Sequence, residues 1–122
     1  GGNRGTNFHL EAVQSAAVEL ASAGLADRLM VDCSHGNSNK DFRRQGEVLQ
    51  SVADQVREGS THLMGVMIES HLVEGNQKLS ADLSDLTYGQ SITDACISIE
   101  TTQELLDRLA ESVSMRCSTV PV

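Results

Sequence analysis

The stretch Leu29-Met30-Val31-Asp32-Cys33-Ser34-His35 is an apolar run that ends abruptly in groups able to bind a metal ion or a substrate. A second run, Leu63-Met64-Gly65-Val66-Met67-Ile68, ends the same way in Glu69-Ser70-His71. Short, nearly continuous apolar runs of this kind are the pattern of strands covered on both faces in a parallel sheet. Polar groups at the C-terminal ends of such strands form the rim on which α/β sheets and barrels carry their active sites.

Outward from these runs, Leu10, Val13, Ala17, Leu20 and Ala21 recur at helical spacing, with Asn7 placed to cap the start and Gly24 to end it. A strand is expected over residues 28–33, then a polar turn from Ser34 to Asn39, in which Asn39 is a candidate helix cap. A second helix carries Phe42, Val48, Leu49, Val52 and Val56 and stops near Gly59; a second strand runs from His62 to Ile68. The polar stretch from Ser70 to Ser91 is too long for an idle connection and is expected to lie over the site. Thr101, with Glu104 three residues on, offers a capping box for a third helix through Leu105, Leu106, Leu109 and Val113. Residues 117–122, with the only proline at Pro121, are expected to form a disordered tail.

The order helix, strand, helix, strand, loop, helix is that of the end of a β/α series. Two parallel strands cannot make a sheet covered on both faces, so further strands are expected from elsewhere. Gly1-Gly2-Asn3-Arg4-Gly5 reads as a loop entered in mid-fold, and the chain is expected to be part of one domain cut from a longer polypeptide.

Composition bounds the partners. A net charge of -8 with no Lys/Arg block argues against nucleic acid and against an anionic membrane surface. Cys33, Cys96 and Cys117 stand at wide spacing, giving neither a disulfide framework nor a CxxC metal site, which points to a reducing, cytoplasmic location. No signal peptide is visible, and no apolar run reaches the roughly 20 residues of a membrane span. Walker, GxGxxG, HExxH and GxSxG motifs are absent, which removes the common nucleotide, zincin and hydrolase readings.

His35 follows its strand directly and can present one ring nitrogen to a cation while a neighbouring acceptor holds the other; a purely structural hydrogen bond is the alternative. Glu69 emerges from buried strand and needs either a cation or hydrogen bonds, a salt bridge being the competing reading. Asp94, in Ser91-Ile92-Thr93-Asp94-Ala95-Cys96, reads either as a ligand or as a turn residue. Together, one imidazole and two carboxylates suit Mn²⁺, Fe²⁺, Co²⁺ or Zn²⁺ and leave coordination positions open for substrate. Cys33 and Cys96 read as buried small hydrophobes. His71, Glu74, Asn76 and Gln77 are either supporting groups or a polar loop, and His9 and His62 look structural or exposed. The turn from Ser34 to Lys40 could hold a phosphate through backbone N–H groups, an ordinary βα loop being the alternative.

Three stretches carry a resemblance to a known family. They are Val31-Asp32-Cys33-Ser34-His35-Gly36-Asn37-Ser38, the run from Gly65 to Gln77 with Glu69-Ser70-His71-Leu72-Val73-Glu74-Gly75-Asn76-Gln77, and Tyr88-Gly89-Gln90-Ser91-Ile92-Thr93-Asp94-Ala95-Cys96. On these the chain resembles the type I, microbial 3-deoxy-D-arabino-heptulosonate 7-phosphate (DAHP) synthases. The resemblance extends from the opening glycines to about Met115. It implies an α/β fold in which residues 1–122 are the C-terminal portion of a (β/α)₈ TIM barrel, about two parallel strands and three helices of it, the N-terminal part being absent. It also implies metal-dependent condensation of phosphoenolpyruvate with erythrose 4-phosphate at the entry to the shikimate route, with homo-oligomers common among relatives. By the family pattern His35, Glu69 and Asp94 match three of four metal ligands, the fourth being a Cys from the start of the barrel. His35 and Asp94 are thereby the expected catalytic residues. A non-enzymatic alternative is an inactive, self-associating or domain-swapped fragment that at most binds a divalent metal.

Overall fold

A computed structural model describes residues 2–119. Helix α1 (Leu10–Ser22) buries Val13 and Ala17. Its end is set by Gly24 at φ +73°, where the Leu25 N–H reaches the Leu20 carbonyl and the Gly24 N–H the Ala21 carbonyl. This is a Schellman closure, in which a left-handed glycine satisfies otherwise orphaned carbonyls. The start differs from expectation. His9 occupies the N-cap position without a side-chain hydrogen bond, and Asn7 donates its backbone N–H to Asn37 Oδ1 at 2.8 Å. Asn7 therefore ties the entry of α1 to the turn after the first strand instead of capping the helix.

Strand β1 (Leu29–Asp32) pairs in parallel with β2 (Leu63–Met67). Between them the chain forms a 3-10 turn at Phe42–Arg44 and helix α2 (Gln45–Arg57). Asp41, not Asn39, caps this segment, its side chain accepting the Arg43 N–H at 3.1 Å. The apolar stripe Val48, Leu49, Val52 and Val56 packs with Val13, Val31, Cys33, Leu63, Ile97 and Leu105 as one core.

The polar stretch from Ser70 to Ser91 holds more structure than its composition suggests: β3 (Ser70–His71), β4 (Val73–Asn76), a 3-10 turn at Leu83–Asp85, and β5 (Gln90–Ser91). Strand β4 pairs in parallel with β5, and β3 pairs in parallel with β6 (Ile97–Ser98). Helix α3 (Ile99–Thr119) begins earlier than the capping-box reading placed it. Ser98 Oγ accepts the Thr101 N–H at 3.2 Å, so Ser98 caps and Thr101 lies inside the first turn. Helix also continues through Cys117 and Ser118 to Thr119, in place of the expected disordered tail; residues 120–122 of that tail lie outside the described residues. No helix among the described residues is long and apolar enough to cross a membrane.

Leu49 is fully buried at the centre of this core. Leu49→Ala removes three carbons from a packed interior and is expected to lower unfolding stability by about 2–5 kcal/mol. Urea denaturation followed by far-UV circular dichroism measures this.

Candidate metal centre

The turn after β1 is organised around Asp32. Its Oδ1 accepts both the backbone N–H of Ser34 (2.8 Å) and the Ser34 hydroxyl (2.6 Å), and its carbonyl accepts Asn37 Nδ2 at 2.8 Å. Its Oδ2 lies 2.9 Å from Nδ1 of His35. An ionised carboxylate only accepts, so Nδ1 carries the proton and Nε2 is left to face the cleft. His35 takes φ +50°, with Asn39 at +53° and Lys40 at +60°. Left-handed backbone at a non-glycine residue is sparsely populated and is held only when its surroundings fix it. Here the Lys40 N–H closes onto the His35 carbonyl at 2.8 Å, and the Asp32 network fixes the other side.

Glu69 sits between β2 and β3, at a break where the pairing side of the strand changes. The Met67 carbonyl accepts the Cys33 N–H next to β1, whereas the Glu69 carbonyl accepts the Ile97 N–H at 3.0 Å next to β6. In an uninterrupted strand, residues two apart would bond on the same side. Asp94 is brought in by the segment before β6. The antiparallel bridge Gly75–Cys96 fixes that segment behind it, and Asn76 Nδ2 bonds the Thr93 carbonyl ahead of it at 2.8 Å.

These three elements converge. His35 Nε2 is 3.3 Å from Glu69 Oε1 and 3.7 Å from Asp94 Oδ2, and one ligand atom of each residue lies within 4.8 Å of the other two. The sequence-predicted trio is thus assembled in one place. The cleft above it, about 450 Å³, is also lined by Ser38, Lys40 and Asn76.

Electrostatics follow from the geometry. Burial pushes the Asp32 carboxyl up, but hydrogen bonds from Ser34 and His35 outweigh it and hold the group below the usual carboxylate value. The hydrogen bond to Asp32, then the negative charge of Glu69, raise the His35 imidazole above its ordinary value. Glu69 is pushed up by burial first; His35 opposes this, and the neighbouring Asp94 and Asp32 add to it. His35 and Glu69 thus favour an added proton, whereas Asp32 keeps its negative charge.

Comparison with known proteins gives the same reading for the chain as a whole. Residues 1–107 match the model of the DAHP synthetase I family. The chain belongs to this family. It is 49% identical over 122 residues to a phenylalanine-inhibited phospho-2-dehydro-3-deoxyheptonate aldolase of Saccharomyces cerevisiae, covering 95% of the chain and 33% of that protein. It is 45% identical over 113 residues to a Tyr-sensitive phospho-2-dehydro-3-deoxyheptonate aldolase of Escherichia coli, covering 93% of the chain and 32% of that protein. The solved structure of a phospho-2-dehydro-3-deoxyheptonate aldolase from Francisella tularensis superposes with a TM-score of 0.87 at 45% identity, covering 95% of the chain and 33% of that protein. The chain spans about a third of the length of the relatives it matches.

Within this DAHP synthetase I chain the remaining polar residues divide by place. Asn76 lines the cleft, while Gln77 bonds the Thr87 and Gln90 carbonyls and closes the β4–β5 loop. His71 Nδ1 accepts the Leu72 N–H, His62 pairs with Asp27, and the ring of His9 lies against Phe8. Cys33 is fully buried, and burial, with Asp32 nearby, pushes its thiol up to about 12. Burial, then Glu69, raises Cys96 too. Both stay protonated at neutral pH and outside the trio.

Asp32, Ser34, Asn37 and Gln45 were not singled out by residue pattern, although each shapes the site. The visible signal for Gln45 is a polar residue on the apolar stripe of α2, in line with Val48, Leu49, Val52 and Val56. For Asp32 it is the spacing to His35 across a tight turn.

Two outcomes follow from this geometry. Iodoacetamide at neutral pH is expected to modify the exposed Cys117 and to spare Cys33 until the protein unfolds, as read by peptide mass spectrometry. In metal-free protein the His35 imidazole should titrate above the ordinary histidine value by NMR. Asp32→Asn, which removes the negative partner, should bring it down.

Proposed function

We propose that this chain is the C-terminal portion of a (β/α)₈ barrel that, once completed by an N-terminal portion, condenses phosphoenolpyruvate with erythrose 4-phosphate to give DAHP and phosphate. The observation that carries the reading is the convergence of His35 Nε2 with two carboxylate oxygens at 3.3 and 3.7 Å, while Asp32 holds Nδ1. With the imidazole neutral at Nε2 the three groups present lone pairs to one another, so the cluster favours either a proton on Nε2 or a cation among them. One imidazole with two carboxylates is a donor set that suits a divalent metal. A bound Mn²⁺, Fe²⁺, Co²⁺ or Zn²⁺ supplies Lewis acidity to the aldehyde of erythrose 4-phosphate. His35, Glu69 and Asp94 would hold it, together with a Cys from the N-terminal portion.

The chain's own residues have distinct tasks in that reaction. Asp32 fixes the tautomer and direction of His35, keeping Nε2 available as a ligand. Asp94, whose side chain is 71% exposed, is the carboxylate best placed to accept a hydrogen bond from a substrate hydroxyl as well as to ligate. Lys40 and Asn76 line the same cleft and offer donors to substrate oxygens. C3 of phosphoenolpyruvate then bonds to the aldehyde carbon, water adds at C2, and phosphate leaves.

Completion of a barrel is supported by the sheet itself. Among the described residues β1 has a partner on one edge only, β2. Met30 and Met64 are 62% and 65% exposed on strands that bury Val31 and Leu63 on the other face. A parallel sheet is stable when both faces are covered. The same open edge favours a second reading, in which the chain covers itself by self-association and is inactive.

Phosphoenolpyruvate consumption in the presence of erythrose 4-phosphate and Mn²⁺ separates the two. Turnover is expected only when the chain is combined with a complementary N-terminal barrel portion, and EDTA or His35→Ala should abolish it. Turnover by the chain alone refutes the need for completion, and no turnover in the combined sample favours the self-associating fragment. Asp94→Asn that retains full turnover and metal affinity would remove both roles from Asp94.

A further inference from the structure

Gln45 is the first residue of α2 and is fully buried, yet its side chain is polar at both ends of its amide. Both ends are used on one residue. Oε1 accepts the Glu69 N–H at 2.8 Å, and Nε2 donates to the Glu69 carbonyl at 3.0 Å. The side-chain amide thus stands in for a neighbouring strand at the one place where the β2–β3 line is broken. It makes there the pair of bonds that a ladder partner would make.

We propose that Gln45 is a positioning residue that aims the Glu69 carboxylate at His35 and Asp94. The inference rests on the metal-site reading given above. Glu69 lies at the switch between pairing with β1 and pairing with β6, so the ladder on neither side fixes its N–H. Its carbonyl also accepts the Ile97 N–H, but its N–H is held by Gln45, and without that bond a small rotation about N–Cα swings the carboxylate several bonds away. Ser70, the next residue, is anchored separately through its hydroxyl to Thr102 of α3. Glu69 is therefore clamped from α2 and its successor from α3. An apolar side chain at position 45 would fill the same buried space if packing were the only requirement. A fully buried amide is tolerated when both its groups find partners, and here both partners belong to a proposed ligand.

The placement of Gln45 also joins the two halves of the site. The turn carrying His35 runs directly through Asp41 and the 3-10 turn into α2, so the helix that follows His35 grips the strand end that carries Glu69. The spacing between these two ligands is set by the β1–β2 pairing and reinforced by this covalent path and the Gln45 amide.

Co²⁺ titration of the chain combined with a complementary N-terminal barrel portion, read by visible absorption, tests the proposal on the parent, Gln45→Met, Glu69→Gln and Leu49→Ala. Gln45→Met is expected to weaken Co²⁺ binding by about 10–100-fold and to change the absorption envelope. Leu49→Ala, which disturbs the core but not the site, should leave the affinity of the folded protein unchanged. A purely structural role for Gln45 predicts the Leu49→Ala behaviour, and an affinity within about threefold of the parent would overturn the proposal. If Gln45→Met does not fold, Gln45→Glu serves instead. It keeps an acceptor for the Glu69 N–H, sets a carboxyl oxygen against the Glu69 carbonyl, and should weaken Co²⁺ likewise. Glu69→Gln separates the two readings: loss of Co²⁺ there with Gln45→Met unaffected overturns the positioning role alone. Unaltered Co²⁺ binding in Glu69→Gln, or none in the parent, overturns the metal reading and this proposal with it.

Discussion

His35 Nε2, Glu69 Oε1 and Asp94 Oδ2 are three electron-pair donors held within 4.8 Å of one another, with the Asp32 carboxylate directly behind the imidazole. With the imidazole neutral such a cluster repels, and only a proton on Nε2 or a cation among the three relieves it. It persists because each member is fixed from behind: His35 by the Asp32 turn, Glu69 through its backbone, Asp94 by the bridge of Gly75 to Cys96 and the grip of Asn76 on Thr93. The raised value of His35 follows from its hydrogen bond to Asp32 and the charge of Glu69, that of Glu69 from burial first, and the lowered value of Asp32 from the hydrogen bonds of Ser34 and His35. Local strain is part of the same arrangement, since His35, Asn39 and Lys40 adopt left-handed backbone in a turn that contains a glycine elsewhere.

The supporting structure is economical. β1, the β2–β3 line and the segment before β6 each contribute one ligand at or beyond a strand end, and α2 crosses behind them. The core beneath, from Val13 on α1 through Leu49 and Val52 on α2 to Leu105 on α3, holds these strand ends in register. Polar residues buried near the rim, Ser34, Asn37, Ser38 and Gln45, are bonded to the loops that carry the ligands. On the opposite side the sheet is unfinished, with one edge of β1 unpaired among the described residues and Met30 and Met64 exposed. That edge, and relatives about three times as long, give the proposed barrel its physical motive.

Much of this was legible in the residues. The two apolar runs fixed β1 and β2 because a covered strand needs an unbroken apolar stretch, and the helical spacing of α1 and α2 with Gly24 and Gly59 at their ends follows from backbone chemistry alone. The trio was visible as ligand-type residues, His35 and Glu69 directly after strands and Asp94 at the end of the long polar loop. Caps were less legible. Asn7, Asn39 and Thr101 all have capping side chains, but His9, Asp41 and Ser98 hold the cap positions, since a cap depends on where the chain turns and several polar neighbours compete. The pairings of β3 with β6 and β4 with β5 were hidden because two-residue strands carry no periodicity.

The sequence by itself determined which groups could do chemistry and on which elements they ride, because residue type and local periodicity are properties of short stretches of chain. Only the tertiary structure decided that residues 35, 69 and 94 meet, that Asp32 orients the imidazole, and that Gln45 holds Glu69 from 24 positions away. Those are relations between segments distant along the chain. They come into being only when the parallel pairing of β1 with β2 and of β3 with β6 brings the strand ends to one rim.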